Sequence, residues 1–276
     1  MEKTETEHKA PVRLAFRVAY LGDKFFGSQM QADLRTVEGE FVAACTRLGL
    51  FSDYRNAGFL ASGRTDRGVH ARGQVYAFTT GFPARAIQLL NWQLPRDCWV
   101  SAYAEVAENF HPRYDALSRT YRYYFADDEL DIDAMDSAAA SFIGNHDFSS
   151  YARIKDKNPF RTVLKAQVIS EGDHCVLEVT AESFLWHMVR YMAASLHLVG
   201  KGEWDREAIE SRLNGEQQKT IGPAPPEHLV LWDVDFGFPF TLISGIGRSA
   251  TYMQGLRTHH AVMANICATL ISVDKK

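Results

Sequence analysis

Three observations predict an α+β fold of the α/β-sandwich type. Segments that alternate apolar and polar residues interleave with segments whose apolar residues recur at helical spacing. In the first half these come in the order β-α-β-β-α-β. The second half repeats that order loosely, without sequence repetition between the two.

The elements follow in chain order. In VRLAFRVAY, residues 12–20, Val12, Leu14, Phe16, Val18 and Tyr20 point one way and Arg13 and Arg17 the other, as in a half-buried strand. Val37, Phe41, Cys45 and Leu48 mark a helix face, with Thr36 as N-cap and Gly49 closing the segment. Residues 58–80 read as strand, loop, strand; 84–94 as a short helix; CWVSAYAEVA, from Cys98, as a strand. In the second half SRTYRYYFA is a strand from Ser118, and Met135, Ala138, Ala139 and Phe142 mark a helix. RTVLKAQVIS and HCVLEVTAE form a strand pair turning through Glu171, Gly172 and Asp173. HMVRYMAASLHLVG and DREAIESRL are helices, and HLVLWDVDF is the last strand. This is the order of ferredoxin-like folds. The expected organisation is a polar tail over 1–11, one half over 12–115, a second over 116–236, and a helical extension over 237–276.

With 46% hydrophobic and 23% charged residues, the chain is composed like a soluble globular protein. No apolar run reaches the ~20 residues of a membrane-spanning helix. MEKTETEHKAP lacks the basic-then-apolar order of a secretory signal, so a cytoplasmic protein without a membrane partner is expected. Cys45, Cys98, Cys175 and Cys267 include no Cys-x-x-Cys pair, against a structural zinc site. The formal net charge of −4 counts mildly against a nucleic-acid partner. Its distribution allows either a basic face or ordinary solvated surfaces: basic residues gather at Arg64, Arg67 and Arg72, at Arg113, Arg119 and Arg122, and at Arg153, Lys155, Lys157, Arg161 and Lys165. Walker, His-Glu-x-x-His, dinucleotide and Gly-x-Ser-x-Gly motifs are missing.

Three stretches could carry chemistry. ASGRTDRGVHARGQV, residues 61–75, holds one acid, Asp66, among Arg64, Arg67 and Arg72. Neighbouring positive charge keeps a carboxylate ionised, as a nucleophile or base requires; a hairpin loop with a surface salt bridge would read the same way. SRTYRYYF sets Tyr121, Tyr123 and Phe125 on one strand face and Arg122 and Tyr124 on the other. That pattern suits base stacking beside phosphate-gripping arginines, or an aromatic core strand. In SFLWHMVRYM, His187 and Arg190 are spaced to share a helix face. Arg190 amid apolar residues needs either a partner such as Asp66 or a path to solvent.

Taken in order, these stretches resemble the TruA family of tRNA pseudouridine synthases. The resemblance rests on YLGDKFFGSQMQ, GRTDRGVHA, FHPRYDALSRTYRYYF, GNHDFSSY, FLWHMVR and APPEHLVL, and spans roughly residues 12–236. It implies two RNA-recognition-like halves sharing one extended, largely antiparallel mixed sheet, with a catalytic cleft between them. It implies isomerisation of uridine to pseudouridine in the anticodon stem-loop of tRNA, at positions 38, 39 and/or 40, by a homodimer using no metal and no organic cofactor. Carried over residue by residue, Asp66 is the catalytic carboxylate and Arg64 holds the flipped nucleotide or fills its gap. Tyr121 stacks on the base and can take the C5 proton, and Arg190 pairs with Asp66. Arg67, His70, Arg72, Arg119 and Arg122 are further expected RNA contacts. Asp66 could attack base or sugar, or remove a sugar proton.

The chain departs from the family at Gly27-Ser28-Gln29, where Gly-Trp-Gln is frequent, and at LWHMVR, where two histidines are frequent. A catalytically silent RNA-binding relative would be free to lose Asp66, Tyr121 or Arg190, and all three are present. A metal-dependent hydrolase built on Asp66 and His70 would need ligands the loop does not supply.

Overall fold

A computed structural model describes residues 10–127, 129–154, 158–172, 174–216 and 221–271. Most of the polar tail, Lys155 and Lys157 of the basic cluster, and Asp173 of the expected turn lie outside the described residues.

Ten strands form one sheet in the order β10-β4-β1-β3-β9-β5-β8-β7-β6, with β2 paired to β3 off that path. They are β1 Val12–Tyr20, β2 Leu60–Ala61, β3 His70–Thr80, β4 Cys98–Val106, β5 Ser118–Tyr124, β6 Gly144–Asp147, β7 Phe160–Glu171, β8 His174–Ala181, β9 Leu229–Asp235 and β10 Thr241–Leu242. The β3–β9 pairing is parallel and the others are antiparallel. Among the described residues six α-helices accompany the sheet: α1 Val37–Arg47, α2 Pro83–Gln93, α3 Ile132–Ala139, α4 Met188–Gly200, α5 Arg206–Leu213 and α6 Gly247–Ile271.

Strand β1 is not half-buried as expected: Arg13, Ala15 and Ala19 are buried too, and the Arg13 Nε–H donates to the Phe110 carbonyl at 2.9 Å. Leu14, Phe16, Val18 and Tyr20 are fully or almost fully buried, with Phe16 stacked on Phe78 of β3 and touching Phe41 of α1. Thr36 caps α1, its hydroxyl accepting from the Gly39 N–H at 3.2 Å. This first core draws in Leu231, Val234 and Phe236, which lie some 200 residues further along the chain. A second core gathers Tyr123, Met135, Phe142, Phe148, Leu177 and Met192 around α3, α4 and the outer strands. The parallel β3–β9 pairing, His70 with Val230 and Ala71 with Leu231, joins the strands that serve these two cores. Tyr121 packs against both of them, so it stands at the seam.

The first strand expected within residues 58–80 is the two-residue β2, while β6 and β10 were not distinguishable by periodicity, being only four and two residues long.

Candidate active site

The loop between β2 and β3 carries Asp66, and its shape is imposed from outside. The Ser28 hydroxyl accepts from the Thr65 N–H at 2.8 Å, and the Ser28 N–H donates to the Thr65 carbonyl at 3.1 Å. Ser28 is fully buried, so the departure from Gly-Trp-Gln places a clamp on the loop. Tyr20, at the end of β1, shares a hydrogen bond of 2.8 Å with the Thr65 hydroxyl. Gly22 packs so closely that a Cβ there would lie 2.1 Å from the Val69 carbonyl oxygen. His70 then ties the far end down. Its Nδ1 accepts from the Gly22 N–H at 2.9 Å, which leaves Nε2 to carry the proton it shares with the Glu227 carbonyl at 2.9 Å.

Asp66 meets the segment that leads into α4. The indole N–H of Trp186 donates to Asp66 Oδ1 at 3.0 Å. His187 Nε2 lies 3.2 Å and Arg190 Nη1 3.8 Å from Oδ2. Arg190 is also anchored, its Nε donating to the Ala224 carbonyl at 2.6 Å. His187 is not on the helix: it is the residue before it, in the left-handed conformation with φ of 65°. That turn lets Trp186, His187 and Arg190 converge on one carboxylate. Burial lowers the His187 pKa; Asp66 opposes this, and Arg190 and Arg153 reinforce it. Burial thus works against a charge on the imidazole, while Arg190 brings a guanidinium to the same carboxylate oxygen.

Tyr121 reaches the same cleft from β5, its ring edge-to-face with Phe184 at 5.0 Å. Burial pushes its hydroxyl up to about 12, against the pull of Arg119 and with a smaller push from Asp66. It keeps its proton at neutral pH.

The cleft has a volume of about 1240 Å³. Arg64, Arg113, Arg119, Arg153, Arg161 and Arg190 line it, against two acids, Asp66 and Glu38. A chain of net charge −4 thus presents a basic cleft, the electrostatic footprint of a polyanion site. Burial raises the pKa of Glu38, whose Oε2 accepts from the Met30 N–H at 2.9 Å.

The residues singled out from sequence are distributed unevenly. Asp66, Tyr121, Arg190, Arg64 and Arg119 line the cleft. Arg119 spends its donors on the carbonyls of Glu182, Arg113 and Ser62, strapping β5 to its surroundings. Arg67, His70, Arg72 and Arg122 are not among the cleft-lining residues. Arg67 lies over Phe26, 4.5 Å from the ring centre. Arg72 and Arg122 lie 4.6 and 3.8 Å from the Trp232 ring, and Arg122 also pairs with Glu171 and Glu178. Strand alternation turns Arg122 away from the face that carries Tyr121. Trp186 and Arg153 belong to the cleft as well. Trp186 stood inside a recognised motif, but no periodicity marks an indole as a carboxylate's donor. Among the described residues no group of three or more His, Cys, Asp or Glu side chains is arranged to hold a metal ion.

A basic cleft around a partnered carboxylate, at the seam of a shared sheet, has the form of a site for a polyanion. A family model described as tRNA pseudouridine synthase matches residues 138–237. The tRNA pseudouridine synthase A of Methanoculleus marisnigri is 51% identical over 94% of this chain and 96% of its own length. That of Methanosphaerula palustris is 52% identical over 94% and 92%, and that of Thermococcus sibiricus 43% identical over 82% and 85%. A chain in a crystal structure of a Cbf5-Nop10-Gar1 complex aligns with a TM-score of 0.32 and 13% identity, over 67% of this chain and 54% of that one, too distant to add to the fold. The chain belongs to the tRNA pseudouridine synthase A (TruA) family.

Proposed function

We propose that this enzyme converts uridine to pseudouridine in the anticodon stem-loop of tRNA, at one or more of positions 38, 39 and 40, with Asp66 as the reacting carboxylate. The observation that carries this reading is the convergence of Trp186, His187 and Arg190 on Asp66 at the floor of a basic cleft. The reaction breaks the bond from C1′ to N1, forms one from C1′ to C5, and moves a proton from C5 to N1. No electrons are gained or lost, so the chemistry needs no redox partner.

The target uridine leaves its stack at a cost of a few kcal/mol. Phosphate contacts from Arg153, Arg161 and Arg113 offset that cost, and Arg64 holds the flipped nucleotide or fills the gap behind it. Tyr121 supplies a face for the base. Because its phenol stays protonated at neutral pH, it acts at C5 as a relay, taking the C5 proton while its own passes to a base such as Asp66. Arg67, His70, Arg72 and Arg122 lie off the cleft; of these, Arg67 in the Asp66 loop and Arg72 in β3 would meet RNA beyond the flipped nucleotide. A homodimer in the cytoplasm completes the reading. The exposed apolar side chains of α6, among them Val262, Ile266 and Leu270, favour a second copy as partner, and light scattering at working concentration measures it.

Tritium release from C5-labelled uridine in unmodified tRNA tests the function, with EDTA present and no cofactor added. Wild type should release tritium and Asp66→Asn should not. A folded wild type that binds tRNA without release would overturn the reading, and mapping of the product would identify the position.

A further inference from the structure

The segment before α4 brings Trp186 to Asp66, its indole N–H donating to Oδ1 at 3.0 Å. His187 and Arg190 both face the other oxygen. Trp186 is therefore the donor that addresses Oδ1 from this segment, and with it the carboxylate is held from both sides. The indole is itself fixed. The Arg153 N–H donates to the Trp186 carbonyl at 3.0 Å, and the Arg153 guanidinium lies 5.5 Å from the indole ring centre. The left-handed backbone at His187 turns the chain so that two consecutive side chains reach the same group. Such a conformation is strained in a residue with a Cβ, and is kept where the surroundings over-determine it.

We propose that Trp186 is a positioning residue that fixes the plane of the Asp66 carboxylate through its indole N–H. This inference rests on Asp66 being the reacting group. A hydrogen bond to a charged acceptor is the strong kind, and its orientation sets which lone pair meets the substrate. With 45% of its surface exposed at the cleft, the indole keeps one part in reach of RNA while its N–H serves Asp66.

Two variants separate the N–H from the ring. Trp186→Phe keeps an aromatic ring and loses the donor; Trp186→His restores a donor on a smaller ring. For Trp186→Phe, kcat should fall about tenfold or more while KM for tRNA stays within about twofold, the pattern of an interaction needed at the transition state. Trp186→His should recover most of the loss. A kcat unchanged in Trp186→Phe, or a loss that Trp186→His leaves in place, would overturn the proposal. A second readout needs no activity. The indole N–H resonance of Trp186, identified by its disappearance in Trp186→Phe, should move upfield in folded Asp66→Ala as its charged acceptor is lost. A resonance that stays in place shows that the contact does not exist. Movement in a protein without isomerase activity would instead leave the contact standing and remove the proposed role of Asp66.

Discussion

The Asp66 loop and helix α6 both lie outside the main hydrogen-bonded ladder of the sheet, and they are held in opposite ways. The loop has little regular structure of its own, yet Ser28, Tyr20, His70 and the segment before α4 each grip it. Helix α6 has 25 residues of its own backbone bonding and few ties to the body. Among the described ties are Lys24 to the Tyr252 hydroxyl at 3.2 Å, Arg248 to the Trp92 carbonyl at 2.8 Å and Arg96 over the Tyr252 ring at 5.6 Å, all near its first turns, where Ser249 is buried. From Arg257 to Ile271 every residue is exposed. Rigidity in this molecule thus follows external partners and not secondary structure, which is what a site requires when one carboxylate must be held to within a fraction of an ångström.

The largest effect should come from removing the group the loop exists to hold. Asp66→Asn preserves shape and should lower turnover by about 10³ or more, the scale of an interaction made with the reacting atoms. Thermal denaturation should show a midpoint close to wild type, because Asp66 is partly exposed and its partners keep other anchors. A large fall in stability would mean that the cluster is structural.

The next effect attacks the grip itself. Gly22→Ala pushes a methyl group against the Val69 backbone, and backbone cannot move aside as a flexible side chain can. Overpacking of this kind costs about 1–3 kcal/mol. Melting temperature and tritium release should both fall, where Asp66→Asn lowers only the second. Wild-type activity in Gly22→Ala would show that the loop tolerates displacement.

Tyr121→Phe keeps the contact with Phe184 and removes the hydroxyl. Turnover should drop about 10²-fold, the usual worth of a positioned proton donor or acceptor, with KM for tRNA little changed. Unchanged turnover would leave the ring as a stacking platform and assign the C5 proton to Asp66 alone.

Much of this was legible beforehand, and the reasons differ by region. Strands β1, β3 and β9 declare themselves through their β-branched, aromatic and apolar content; β1 and β3 are buried on both faces, so burial itself writes no period of two into them. Asp66, Arg64, Tyr121 and Arg190 were legible because one string holds a lone acid among arginines and the others sit in matching motifs. His187 was expected on the helix, and it lies one residue before it, in a left-handed turn that no spacing rule marks. Arg122 was expected to reach RNA, while Glu171 and Glu178, far away in sequence, occupy its guanidinium. Long-range pairing is what local pattern cannot contain.

His187 allows a gentler perturbation by pH. Burial lowers its folded-state pKa, so the unfolded chain binds its proton more readily. Its contribution to stability is fully present above the ordinary histidine value of about 6.5 and is lost as pH falls through the lower folded value. The groups facing it are Asp66, which resists this, and Arg190 and Arg153, which deepen it. Denaturant titrations should therefore show wild type losing more stability than His187→Gln below about pH 6.5. Parallel curves would mean that the imidazole charges without penalty.

The smallest effect on the body should come from α6. Ending the chain after Ser244 removes the helix and few of the body's contacts, so the melting midpoint of the remainder should move by no more than about 2 °C, the shift that well under 1 kcal/mol produces. Isolated helices owe most of their stability to packing, and the stretch from Thr258 to Ile271 contains no charged residue that could form stabilising pairs along it. In a monomer its amides should exchange with solvent far faster than those of β1 or β3. Slow exchange that speeds up on dilution would place a second copy on this helix. The comparison would then be sharper: both regions would be held from outside, one by its own chain and the other by its partner.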